Sequence, residues 1–159
     1  MKKLAVILSL MIFIAACDNN DTKSASDSDQ FDSTAIVKND ANPAYDPHRG
    51  EGKFKKVEMA AGLDAAMAAT GEKVYSVKCS GCHKTTDEKL VGPGWKGVTS
   101  RNAPEWIMNF ITNTDEMLDK DPKAQAQLEI CLVRMPNQNL ADEDARALLE
   151  FMRRIDGVK

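Results

Sequence analysis

Cys79-Ser80-Gly81-Cys82-His83 is the stretch on which the reading of this chain turns. Two thiols three positions apart, with an imidazole directly after the second, form the attachment pattern of a c-type haem. The chemistry sets the spacing. On a tight turn both sulfurs reach the two vinyl groups of one porphyrin edge, and the adjacent imidazole falls beneath the macrocycle to ligate iron. Gly81 suits such a turn because it has no Cβ. Other uses of a C-x-x-C pair fit less well. Zinc needs two more Cys or His ligands at suitable spacing, and His48 and Cys131 are the only further candidates. A thioredoxin-like pair follows a strand in an alternating strand–helix pattern, which this sequence lacks. A Cys79–Cys82 disulfide closes only a small loop and leaves His83 without a purpose.

Outward from this motif the apolar periodicity is helical. Asp64 is a candidate N-cap for a helix running to Cys79, with Gly71, Val74, Tyr75 and Lys78 at helical spacing. Ala103 to Thr112 reads as a helix with Trp106, Ile107 and Phe110 on one face and Pro104 near its start. Asp121-Pro122 opens another, to about Leu132, with Leu128, Cys131 and Leu132 as its stripe. The last runs from about Asp142 to Ile155. Its stripe is Ala145, Leu148, Leu149, Met152 and Ile155, with Arg146, Glu150, Arg153 and Arg154 facing water and Gly157 at the C-cap. No stretch shows sustained strand alternation. The expectation is an all-α fold wrapped around a prosthetic group that completes a small core.

The rest of the chain reads as delivery. Met1-Lys2-Lys3 is a positive start, and Leu4 to Ala16 is an apolar run of 13 residues with one Ser. A spanning helix needs about 20. Residues 1–16 therefore read as a signal peptide, with Ala15-Ala16 as the small residues of a cleavage site. Residues 18–50 hold seven Asp against Lys23, Lys38 and Arg49 and almost no branched apolar residues. This composition predicts a disordered acidic tether that ends at residue 50, with the folded domain over 51–159. As a flexible coil it has an r.m.s. span of about 30–35 Å. The whole chain has 159 residues, 43% apolar and 28% charged, with net charge −3. It is a one-domain globular composition without a broad nucleic-acid-binding surface.

The run Leu10-Met11-Ile12-Phe13-Ile14-Ala15-Ala16-Cys17 resembles the lipobox of bacterial lipoproteins. That resemblance implies acylation of Cys17 and a membrane anchor, without a spanning segment. Residues 64–157 resemble a class I monohaem cytochrome c. The resemblance rests on five features in chain order: Gly71 and Tyr75, the C-x-x-C-H run, Val91-Gly92-Pro93, Met135-Pro136, and the terminal amphipathic helix. It implies one covalent haem c, a crossing of the first and last helices with Gly71 and Tyr75 against Leu148 and Phe151, and Met135 as distal ligand. It also implies that Pro93 offers its carbonyl to His83 and that Arg101 pairs with a haem propionate. Trp95 and Trp106 pack on the porphyrin or donate to a propionate; core burial is the simpler reading.

The sixth iron ligand separates electron transfer from O₂ activation or sensing. Among Met59, Met67, Met108, Met117, Met135 and Met152, Met135 follows a helix end and lies in the polar segment Met135-Pro136-Asn137-Gln138-Asn139. Met108 and Met152 sit in apolar stripes. Met117 and an open position remain as alternatives. With His83 and Met135 as iron ligands no vacancy is left for a substrate. The expected function is then single-electron carriage rather than enzymatic turnover. The expected route runs between a membrane quinol-oxidising complex and a terminal oxidase or periplasmic reductase, on the periplasmic side of a Gram-negative membrane. The alternative is a haem-based sensor or peroxidase-like protein with a labile sixth position. Expected partners are redox proteins and, through the lipid, the membrane; no nucleic acid or small-molecule substrate is expected. Cys131 is left without a partner and reads as a small buried hydrophobe. Residues 73–101 carry Lys73, Lys78, Lys84, Lys89, Lys96 and Arg101 against Asp87 and Glu88, a basic group able to steer an acidic partner if it rings the haem edge.

Overall fold

The computed structural model describes residues 45–159. Within them lie α1 (Ala65–Lys78), α2 (Val98–Arg101), α3 (Pro104–Thr112), α4 (Thr114–Lys120), α5 (Pro122–Cys131) and α6 (Asp142–Ile155). Among the described residues there is no strand, only an isolated bridge between His83 and Lys89. The fold is all-α, as the periodicity implied. Asp64 caps α1 by accepting from the Met67 N–H at 2.9 Å, and Asp121 caps α5 by accepting from the Ala124 N–H at 2.7 Å. The short helices α2 and α4 were not anticipated. A four-residue turn has no periodicity to detect, and α4 buries only Thr114, Met117 and Leu118.

The frame is the crossing of α1 and α6. A Cβ built on Gly71 would stand 2.0 Å from the Ala147 carbonyl oxygen. Only glycine lets the two backbones approach so closely. One turn on, Tyr75 packs with ring centroids 5.3 Å from Phe151 and 4.9 Å from Trp95. On α6, Leu148, Leu149, Phe151 and Met152 are buried, each contributing about 1.5–3 kcal/mol of transfer free energy.

The expectation that Glu150 and Arg153 face water is corrected, for both are buried. Glu150 accepts from the Asp64 N–H (2.9 Å), Arg146 (2.7 Å) and Arg153 (2.6 Å). Arg153 also donates to the Ala60 and Gly62 carbonyls. Besides the pairs within α6, their partners lie in the segment before α1, far away in sequence, so a single-helix periodicity argument misses them.

That segment, residues 45–64, runs as a strap against α3, α4 and the Asp121 cap of α5. The Asn109 amide accepts from the Phe54 N–H and donates to the Arg49 and Phe54 carbonyls, all within 3.0 Å. The Asp121 carboxylate accepts from the Tyr45 hydroxyl and from the Trp106 indole N–H (3.0 Å). Packing therefore begins at least six residues before position 51, because α3 and α5 supply partners that composition does not show. The expected signal peptide, Cys17 and the tether up to residue 44 lie outside the described residues. Among the described residues no helix is long and apolar enough to cross a membrane.

Candidate functional site: a haem cleft

The end of α1 becomes the attachment turn. The Cys79 N–H still donates to the Tyr75 carbonyl, and then the Cys82 and His83 N–H groups both donate to the Cys79 carbonyl, at 3.0 and 2.9 Å. Cys79 is buried, Cys82 is exposed, and both are free thiols. Burial pushes the Cys79 thiol up to about 11 against the opposing pull of Lys78, so it stays protonated before attachment.

His83 is held from two sides. The Tyr75 hydroxyl donates to its carbonyl at 2.6 Å, and its Nδ1 lies 2.8 Å from the Pro93 carbonyl oxygen. A carbonyl can only accept, so Nδ1 carries the proton and Nε2 keeps its lone pair for a metal. Burial lowers the His83 pKa and the Pro93 bond opposes it; the balance favours the neutral ring, the form that ligates. Gly92 lies flat on this ring, where a Cβ would stand 2.3 Å from Cε1. The Val91 and Gly92 N–H groups donate to the Cys82 carbonyl (3.2 and 2.9 Å), which closes the loop back on the motif.

Two adjoining clefts open beside this ring. His83, Pro93, Phe110, Gln127 and Met135 wall both. Val91, Leu118, Leu128 and Val133 complete the first, and Trp95, Val98, Ile107 and Met152 the second. At the second cleft's polar corner stand Arg101 and Asn102. Asn102 Oδ1 is the one buried side-chain polar atom without a partner among the described residues. Apolar walls, the Cys82 thiol at the first cleft's edge and a free imidazole nitrogen fit a porphyrin.

The methionines separate by position. Met117 is fully buried in the core and its Sδ accepts from the Glu51 N–H at 3.0 Å, away from both clefts. Met67 and Met108 border a separate groove, and Met59 packs against the core. Met152 walls only the second cleft. Met135 alone walls both. The other expected residues also have places. Arg101 lines the second cleft, donates to the Lys96 carbonyl at 2.8 Å, and among the described residues has no carboxylate partner. Trp106 also reaches the second cleft, but its N–H is committed to Asp121. Trp95 stacks between Tyr75 and His83 (4.9 and 5.6 Å).

Cys131, expected to be buried, is only half-buried and lines the first cleft. Gln127 and Asn102 are not marked by the sequence, and Phe110 is marked there only as part of an apolar helix face. Gln127 had one available signal, its place one residue before Leu128 on the stripe of α5. Among the described residues no three His, Cys, Asp or Glu side chains gather to hold a metal, so the zinc alternative has no ligand set.

Three members of the basic group make side-chain contacts within the domain, only one of them to a carboxylate. Lys84 pairs with Glu88 (2.6 Å), Lys89 donates to the Ile130 carbonyl (2.8 Å) and Lys78 to the Gln138 carbonyl (2.9 Å). Leu90, Val91, Ile130, Leu132 and Val133 are exposed instead. They belong to the two segments that border the first cleft, whose wall includes Cys82.

An all-α domain whose attachment turn and imidazole open on an apolar cavity is a covalent haem protein. The Cytochrome c family matches residues 68–156, and the chain belongs to that family. A solved cytochrome c from Rhodothermus marinus is 33% identical, with a TM-score of 0.64 over 66% of this chain and 90% of that one. An engineered cytochrome c from the same organism, Rma TDE, is 32% identical with a TM-score of 0.63, again over 66% and 90%. The same engineered protein bound to a carbene intermediate aligns over those shares with 32% identity and a TM-score of 0.61. No curated protein matches the chain. The chain thus carries a covalently attached c-type haem, for which Cys79 and Cys82 are the thiol pair, and is a haem-based electron carrier.

Proposed function

We propose that this protein is a membrane-anchored monohaem shuttle that carries one electron at a time with His83 and Met135 as axial ligands. It takes electrons from a quinol-oxidising complex and gives them to a terminal oxidase or periplasmic reductase. The anchor is a lipid on Cys17, and the domain works on the periplasmic side of a Gram-negative membrane. It does not turn over a substrate.

The observation that carries this reading is the pairing of His83 and Met135 as walls of both clefts, with no other methionine shared in that way. The bound haem supplies a one-electron couple at its iron. His83, with Nδ1 held by Pro93, would hold the haem iron through Nε2, its ring fixed in one orientation. Met135 supplies a soft thioether, which favours the reduced iron and closes the sixth position. Phe110, Leu118, Leu128 and Met152 exclude water, which keeps reorganisation small. Arg101 offers its charge to a propionate at the polar corner. The lipobox resemblance supports the anchor, and the exposed Cys82 supports electron entry at the attachment edge.

The test is the visible spectrum of the holoprotein, oxidised and reduced, with carbon monoxide added to the reduced form. A low-spin spectrum with an iron–sulfur charge-transfer band, lost in Met135→Ala and not promptly changed by carbon monoxide, is expected. A high-spin spectrum or prompt carbon monoxide binding would replace this reading with a haem sensor or peroxidase-like protein.

A further inference from the structure

Ahead of Met135 its segment has little apolar packing to hold it. Residues 132–141 have no regular structure. At their approach Ile130, Leu132 and Val133 are 68%, 85% and 53% exposed. Three cations tie the segment down. Lys89, from the attachment loop, donates at 2.8 Å to the carbonyl of Ile130, in the last turn of α5 from which the segment departs. Arg134 reaches α4, donating to Asp119 Oδ1 at 2.8 Å and to the Asp115 carbonyl at 3.2 Å. Lys78, the last residue of α1, donates to the Gln138 carbonyl at 2.9 Å. These contacts fall on both sides of Met135 and reach three different parts of the fold. They also give the acidic helix α4 a task, since Asp115 and Asp119 stand one turn apart and both face Arg134.

We propose that Lys78, Lys89 and Arg134 are positioning residues that latch the Met135 segment over the haem cleft, and that this latch sets how readily the sixth iron position opens. The proposal rests on the reading that Met135 ligates iron. Each contact is exposed, so each contributes modestly, and the three together determine the fraction of time the segment is lifted. The Arg134 arm, an ion pair in water, weakens as salt rises. The Lys78 and Lys89 arms end on carbonyls and respond less.

The experiment uses the haem-loaded protein and the variants Lys78→Met, Lys89→Met, Arg134→Gln and their triple combination. Arg154→Gln is the control: it breaks an ion pair of similar length, Arg154–Glu72 at 2.7 Å, at the α1–α6 contact away from the Met135 segment. The readouts are the rate of carbon monoxide binding to the reduced form, the intensity of the iron–sulfur band, and the thermal midpoint. Each single latch variant is expected to raise the carbon monoxide rate roughly two- to fivefold, as loss of one exposed pair implies, and the triple variant more than any single one. Arg154→Gln should lower the midpoint comparably and leave that rate unchanged. Latch variants that bind carbon monoxide at the unmutated rate, or a control that accelerates it equally, would overturn the latch while the unmutated protein still shows its band. An unmutated protein without the band would overturn the axial assignment, and the latch with it.

Discussion

The Pro93 carbonyl oxygen lies 2.8 Å from His83 Nδ1, and that one bond decides which imidazole nitrogen faces the cleft. Proline contributes a carbonyl without an N–H of its own, and Gly92 before it lets the chain lie against the ring. The orientation of the iron-facing nitrogen is therefore set by backbone geometry.

Gly92→Ala tests that geometry. Its methyl would sit 2.3 Å from His83 Cε1, so either the ring or the loop must move. Overpacking of this kind costs about 1–3 kcal/mol. The expected outcome is a lower yield of haem-loaded protein and a lowered thermal midpoint, read by absorbance and by melting.

Gly71→Ala is expected to be worse for the fold and milder for the site. The obstacle is the Ala147 carbonyl at 2.0 Å, a helix backbone that cannot rotate away. We expect a loss of about 3 kcal/mol, at the upper end of overpacking costs, with the haem spectrum of the remaining folded protein unchanged. Urea unfolding followed at the haem band measures both.

Replacing Met135 with His should keep a six-coordinate iron and lower its potential, because a nitrogen donor favours the oxidised metal more than a thioether does. Redox titration of the holoprotein checks this. An unchanged potential would mean that residue 135 is not on the iron.

Glu150 predicts an acid limit. Burial pushes its carboxyl up, but hydrogen bonds from Arg146, the Asp64 N–H and Arg153 outweigh burial and hold it below the ordinary value. A depressed carboxylate gives stability that is present above its unfolded pKa, about 4.3, and is lost as pH falls through the folded value. Glu150→Gln should flatten the stability profile in that acid window. Glu150→Ala should cost about 3–5 kcal/mol at neutral pH, because it leaves Arg153 buried and unpaired.

Electron exchange at the Cys82 edge should depend on aliphatic contact more than on charge. Lys84 is paired with Glu88 there, and Leu90, Ile130 and Leu132 are exposed. The self-exchange rate between oxidised and reduced copies, measured by NMR line broadening, should change less than about twofold on raising salt well beyond the ~10 Å Debye length regime of 0.1 M. Leu132→Asp should slow it and make it salt-dependent. A steep salt dependence in the unmutated protein would restore steering by the basic group.

Much of this site could be read from residue order, because its chemistry is local. The thiols and imidazole of Cys79, Cys82 and His83 lie on one turn, and no distant contact is needed to recognise them. The helices α1, α3, α5 and α6 announce themselves through apolar spacing and through caps such as Asp64 and Asp121. The glycine at the helix crossing was legible only through resemblance.

Contacts between distant segments were decided by tertiary structure alone. That Met117 lies away from the clefts depends on the strap, since the Glu51 N–H binds the Met117 sulfur 66 residues away in sequence. The burial of Glu150 and Arg153 depends on carbonyls and an N–H more than 80 residues distant. Trp95 and Trp106 look alike in sequence, yet one stacks on His83 and the other donates to Asp121. Sequence by itself determined the helices and the attachment chemistry, because hydrogen bonds and spacing within a few residues suffice for both. The distal wall, the strap and the latch belong to the folded chain, because each satisfies a polar group with a partner that only packing brings near.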